Sequence, residues 1–173
     1  MTQAANLAAL GSNVNADGAL NAADLTGTLP STQLPAGSVL QVVSGTFSAN
    51  ASTSGTSFVD SGCTATITPK FSTSKILVQV TGMTYKSNGN VTDSPTIDVA
   101  KNGTQLFIVM DLGLYTATAT ENSGNFAGSY YDSPATTSAL TYKVRFKNAV
   151  SAASVVIQFN NCPTVITLTE IAA

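Results

Sequence analysis

Residues 58–80 read FVDSGCTATITPKFSTSKILVQV, and this stretch decides the fold. TATIT (64–68) is a short strand signal, rich in β-branched residues that suit a pleated surface. Pro69 interrupts it, because proline cannot donate to a ladder, and the following Ser/Thr-rich residues up to 74 favour a turn. KILVQV (75–80) then resumes with strict alternation. Ile76, Val78 and Val80 share one face and Lys75, Leu77 and Gln79 the other, the period of two expected of a sheet with one buried side.

Outward from this pair the chain keeps the same character. A strand is expected over 39–49, with Val39, Gln41 and Val43 set against Leu40 and Val42, followed by a polar loop over 50–55. Beyond residue 80 the second strand continues through Met83 and Tyr85, and 87–95 is a loop. TIDVAKNGTQLFIV (96–109) is the plainest local signal. Asn102 and Gly103 both tolerate positive φ, as a two-residue primed turn demands, so the halves form a hairpin. Residues 113–134 are long and Gly/Ser/Thr-rich and hide one further strand; 140–150, 154–160 and 165–171 complete the set. About eight to ten strands with regularly spaced turns predict an all-β protein, a β-sandwich of jelly-roll-like type. No helix is expected after residue 37, and no 20- to 50-residue repeat is present.

A resemblance follows from the same residues. A strand beginning near Phe58-Val59-Asp60, the phrase Ile67-Thr68-Pro69-Lys70, the run 72–78 (STSKILV) and the closing ITLTEIA (166–172) are together similar to a small β-domain of bacteriophage tail fibres and other virion surface proteins. The similarity extends from Pro35 to the C-terminus and consists of strand and turn patterns. It implies a virion setting and a homotrimer.

Composition narrows the function classes. Charged residues are 9 % of the chain, against about a quarter in an average soluble domain, and Ser and Thr supply the missing polarity. Such a surface can meet copies of itself without burying many charges. Net charge is −2 with a pI near 4.7, so no basic footprint for nucleic acid is present. No apolar run approaches the ~18 residues of a membrane span, and residues 1–10 lack a signal-peptide pattern. The chain therefore reads as soluble, made in the host cytoplasm and destined for the virion. Histidine is absent, which removes Ser/His and Cys/His nucleophile pairs and mixed Cys/His metal sites. Cys63 and Cys162 are best read as two small buried hydrophobes; a bridge requires their Cα atoms within about 7 Å. No cofactor or metal is implied.

Residues 1–37 form a separate unit of the organisation, ahead of a sandwich domain over 38–173. Two helical segments, each under about ten residues, are too short to stand alone in water. They are followed by an extended strap with two Leu-Pro pairs. Leu7, Leu10, Leu20, Leu25, Leu29 and Leu34 are more apolar residues than a solvated leader carries, so the segment reads as an attachment arm that docks on a partner.

Three constellations remain. Lys143, Arg145 and Lys147 alternate with Tyr142, Val144 and Phe146, placing three cations on one strand face. They form either a docking face for an acidic partner or, the favoured reading, a solvated face that discourages edge pairing. Tyr115, Phe126, Tyr130 and Tyr131 dot the 113–134 segment; they could stack on sugars at a receptor-contact tip, or turn inward to close the sandwich, which is favoured. Asp111, Glu121 and Asp132 are the only acids placed for a glycan-hydrolysing pair, and nothing else supports one. The expectation is a non-enzymatic bacteriophage structural protein, a short trimeric tail or baseplate fibre attached by its arm and contacting the host surface. The alternative is a trimeric capsid decoration or head-fibre protein that stabilises the capsid. Partners would be further copies of the chain, other virion subunits and, for a fibre, a host cell-surface glycan.

Overall fold

The computed structural model describes residues 34–87, 91–150 and 153–173. The expected helical segments and Leu7, Leu10, Leu20, Leu25 and Leu29 lie outside these residues. A compact unit spans Pro35–Ala173. It holds ten strands: β1 (Val39–Phe47), β2 (Ala51–Thr53), β3 (Val59–Ile67), β4 (Lys75–Lys86), β5 (Pro95–Lys101), β6 (Thr104–Met110), β7 (Asn122–Asp132), β8 (Leu140–Asn148), β9 (Val155–Ile157) and β10 (Thr164–Ile171). A 3₁₀ turn, Phe159–Asn161, separates the last two.

All pairings among the described residues are antiparallel, and five of them are nested. β5 pairs with β6, β4 with β7, β3 with β8, and β1 and β2 with β10 and β9. Along one edge of β4, its first half pairs with β10 and its last residues with β9, while β7 runs along the other edge. One sheet therefore runs β1-β10-β4-β7, extended by β9 and β2, and the other runs β3-β8-β5-β6. Take β1 with β2 as one interrupted strand, and β9 with β10 as another. The eight resulting strands are then ordered 1-8-3-6 and 2-7-4-5, the connectivity of a jelly roll.

The alternation read from residues 75–80 is the core. Ile76, Val78 and Val80 are buried with Ile166 and Leu168 against Tyr142, Val144, Phe146, Ile97 and Val99 of the facing sheet. Cys63, Ala65 and Ile67 of β3 complete the layer. At the hairpin tip Asn102 and Gly103 take φ of 49° and 87°. Thr141 N–H donates to Asn102 Oδ1, which ties the tip to β8. The turn after Pro69 is held by Glu170, whose carboxylate accepts from Lys70 N–H (2.7 Å) and from Gln41 Nε2 (2.5 Å).

Several boundaries differ from the sequence reading. The loop expected over 50–55 contains β2, three residues that exist as a strand only through pairing with β9. The strand expected over 154–160 stops at Ile157, because Gln158, Asn160 and Asn161 all adopt left-handed backbone. The hidden strand of 113–134 is eleven residues long, β7, and leaves the connection before Asn122 and the residues after Asp132 as loop. Its Gly124 and Gly128 face inward, and a Cβ at either would sit 2.9 Å from Leu114 Cδ2 and Val109 Cγ1 respectively. Those glycines are close-approach positions within a strand, which explains the loop-like composition. Cys63 and Cys162 are both free thiols, the first buried and the second half-buried.

Candidate functional site

The three cations of β8 do lie on one face, because the strand alternates buried and half-buried residues along its whole length. Each already has a neighbour. Lys143 Nζ donates to Asp60 Oδ2 of β3 at 2.6 Å. Arg145 forms a forked pair with Asp98 of β5, Nε to Oδ1 at 3.1 Å and Nη2 to Oδ2 at 2.6 Å, and also donates to the Gly103 carbonyl. That hydrogen-bonded carboxylate, against a smaller opposing effect of burial, holds the guanidinium above its ordinary pKa. The Phe58 ring lies beneath both Arg145 and Lys147, about 5 Å from each charge. Asp98 is fully buried beneath these groups. The face is thus cross-linked to both neighbouring strands, with Lys143 and Arg145 matched by carboxylates and Lys147 set over the Phe58 ring. The sequence showed the cations but not their partners, because the β3–β8 and β5–β8 registers that bring Asp60 and Asp98 opposite are long-range.

The four aromatics do not gather at a tip. Phe126 is buried, whereas Tyr130 stacks on Phe107 of β6, with centroids 5.2 Å apart, and stays 40 % exposed. Tyr131 points outward from β7 and is 53 % exposed; only Tyr115 (63 %) stands on the β6–β7 connection. Leu34, the one arm leucine among the described residues, is half-buried.

The acids considered for hydrolysis have other tasks or places. Asp132 is buried where it accepts from Lys101 Nζ (2.8 Å) and from the Tyr142 hydroxyl (2.7 Å). Burial first, and the adjacent carboxylate second, push the Tyr142 phenol far up. Glu121 precedes the opposite end of β7, roughly 35 Å from Asp132 at ~3.3 Å per residue, well beyond a hydrolytic carboxylate pair. Asp111 accepts from Thr96 at the start of β5, whereas Lys101 ends that strand. Among the described residues no group of three Asp, Glu or Cys side chains converges as a metal site.

One feature had no sequence signal. Tyr85 and Phe159 stack at 4.3 Å with planes 9° apart, and with Glu121, Asn122 and Ser123 they line a shallow depression of about 340 Å³. Desolvation, then Glu121, raises the Tyr85 phenol. The two rings are 74 residues apart in sequence and meet only because β9 docks on the end of β4.

No family model and no curated protein matches the chain.

Proposed function

We propose that the chain is a non-enzymatic virion structural protein: a jelly-roll head carried by an N-terminal attachment arm, assembled as a homotrimer and serving as a short tail or baseplate fibre that contacts the host. The observation that carries this reading is the distribution of charge on the sandwich. Of the strands, β1, β2, β6 and β9 carry no charged residue, and the charges of β3 and β7, Asp60 and Asp132, are each paired within the subunit. Subunits can pack on such surfaces without desolvating unpaired ions, which is the costly step in building an interface. The similarity of residues 35–173 to phage fibre domains points the same way.

A second reading, a capsid decoration protein, is favoured by the aromatics. Phe126 is buried in the core and Tyr130 and Tyr131 lie on β7, so of the four aromatics only Tyr115 stands on the β6–β7 connection. One experiment separates the readings. The protein is located in intact particles by gold labelling and electron microscopy, and purified protein is added in competition with host-cell adsorption. Tail location with blocked adsorption supports the fibre, while capsid location without competition supports decoration. Absence from purified particles overturns both.

A further inference from the structure

The outer face of the β4–β7 pair carries two depressions, one after the other along the strands. Tyr85 stands opposite Ser123, Met83 opposite Asn125 and Thr81 opposite Ala127. Residues directly opposite in an antiparallel pair share a face. The depression at the Tyr85–Phe159 stack, of about 340 Å³, also takes in Glu121, Asn122 and Ser123. The second, of about 390 Å³, lies over Thr81, Met83, Asn125 and Ala127. From Tyr85 to Thr81 the floor runs roughly 13 Å, at ~3.3 Å per residue.

One segment walls both depressions: the turn Phe159–Asn161, followed by Cys162 and Pro163. Its backbone is strained. Gln158, Asn160 and Asn161 have φ of 57°, 55° and 60°, the left-handed region that side-chain-bearing residues rarely occupy. Hydrogen bonds hold it there. Gln158 N–H donates to the Met83 carbonyl (3.0 Å), Asn161 N–H to Asn50 Oδ1 (3.1 Å) and Asn161 Nδ2 to the Ser48 carbonyl (3.4 Å). The turn buries none of its own residues, yet it fixes the Phe159 ring flat against Tyr85. A wall fixed in advance favours binding, because ordering it on contact would subtract from affinity.

The lining selects a ligand. Tyr85 and Phe159 offer apolar ring surface beside a phenol. Thr81, Ser123 and Asn125 add hydroxyls and an amide, groups that both donate and accept. Among the described residues of the two linings Glu121 alone is charged, so an anionic ligand meets repulsion and a hydroxyl finds an acceptor. The facing backbones of β4 and β7 are engaged in pairing with each other, and an extended peptide binds through a free strand edge. We propose that this groove binds a neutral oligosaccharide, its C–H surface against the Tyr85 and Phe159 rings and its hydroxyls bonded by Glu121, Ser123 and Asn125. The proposal deepens the fibre reading, on which its biological role rests, by naming the class of host-surface ligand. Apolar ring surface with a few fixed polar groups is the usual make-up of a small-molecule site.

The test uses the full chain on a printed array of neutral oligosaccharides of hexoses and N-acetylhexosamines, with uronic- and sialic-acid-bearing counterparts as the acidic arm. Neutral glycans are expected to bind, and Phe159→Ala to weaken that binding at least about tenfold through loss of ring surface. Circular-dichroism melting checks that the variant is folded. Phe159 lies outside the core cluster, and Ser123→Leu, at an exposed strand position, fills the groove instead if Phe159→Ala unfolds. Tyr131→Ala removes an exposed ring further along the same face of β7 and should leave binding unchanged. No binding to any neutral glycan overturns the proposal, as does a preference for the acidic arm. Binding that survives in the folded groove variant, or is lost with Tyr131→Ala, overturns it too. Location in the particle is read separately. A capsid location removes the fibre reading without touching a groove that binds, and an empty array removes the groove without moving the location.

Discussion

At the scale of single residues, the buried polar groups carry the least legible information in the chain. Cys63 was readable as a small buried hydrophobe, and its Sγ donates to the Thr164 carbonyl at 3.3 Å. Burial raises its thiol from 9.0 to about 11, so roughly one molecule in ten thousand is thiolate at pH 7. Cys162, half-buried before Pro163, is the accessible one. A thiol reagent at pH 8 should therefore modify Cys162 first and Cys63 only on unfolding; equal fast labelling of both would refute the assignment. The same shift has a pH consequence. The folded state keeps its proton to a higher pH than the unfolded chain, so the contribution is intact below pH 9 and is lost as pH rises through about 11. Urea midpoints should fall across that window, and fall less in Cys63→Ala. The Lys101–Asp132–Tyr142 cluster makes a larger demand. Asp132→Ala would leave the Lys101 ammonium and the Tyr142 hydroxyl without their shared acceptor, and a loss of about 3 kcal/mol is expected in equilibrium unfolding. A loss under about 1 kcal/mol would mean water replaces the carboxylate. Neither Lys101 nor Asp132 signals this role in sequence, since their meeting depends on β5 and β7 lying in opposite sheets.

At the scale of elements, legibility followed the range of the determining contacts. The β5–β6 hairpin is encoded by Asn102-Gly103 and the β4 core face by Ile76, Val78 and Val80, all local signals. β2 is three residues long and has no local signature, so its pairing with β9 defines it, whereas β9 was read as a strand over 154–160 and is cut short at Ile157. β7 looked like a loop because two of its six inward positions are glycine, there to admit Leu114 and Val109. The aromatics were spread for the same reason, since Phe126 alternates with those glycines on the inner face while Tyr131 of the same strand is exposed. The turn between β3 and β4 shows how a distant side chain completes a local motif. Pro69 and the serines specify a break, but its position over β10 and β1 is set by Glu170 through Lys70 N–H and Gln41 Nε2. Glu170→Ala should cost about 2 kcal/mol, by removing the charged acceptor shared by the Lys70 amide N–H and Gln41 Nε2, and should increase hydrogen exchange in residues 69–74. Unchanged exchange there would show that the turn holds itself.

At the scale of the whole molecule, nested pairing brings the two ends of the sandwich together. Gly37 N–H donates to the Ala172 carbonyl, Ala172 N–H to the Ser38 carbonyl and Ser38 N–H to the Pro35 carbonyl. The head is therefore closed at Pro35 by its own C-terminus, a few residues earlier than the break at 37/38 suggested by composition, and its core draws on residues from Val43 onward. Under the proposed function the leucines before that point serve attachment. Burying one leucine is worth about 1.5–3 kcal/mol, so docking three or four on a partner offsets much of the ~1–2 kcal/mol per residue lost on ordering a short segment. A trimer presents three arms at once, and linked binding raises avidity without any new contact. A chain beginning at Pro35 should then keep a cooperative melt within a few degrees of the full chain and remain trimeric by native mass spectrometry, yet fail to enter particles when it replaces the full-length protein. Normal incorporation of the truncated trimer would remove the attachment role from residues 1–34. Loss of cooperative melting would instead make those residues part of the head's stability, and the division into arm and head would fall.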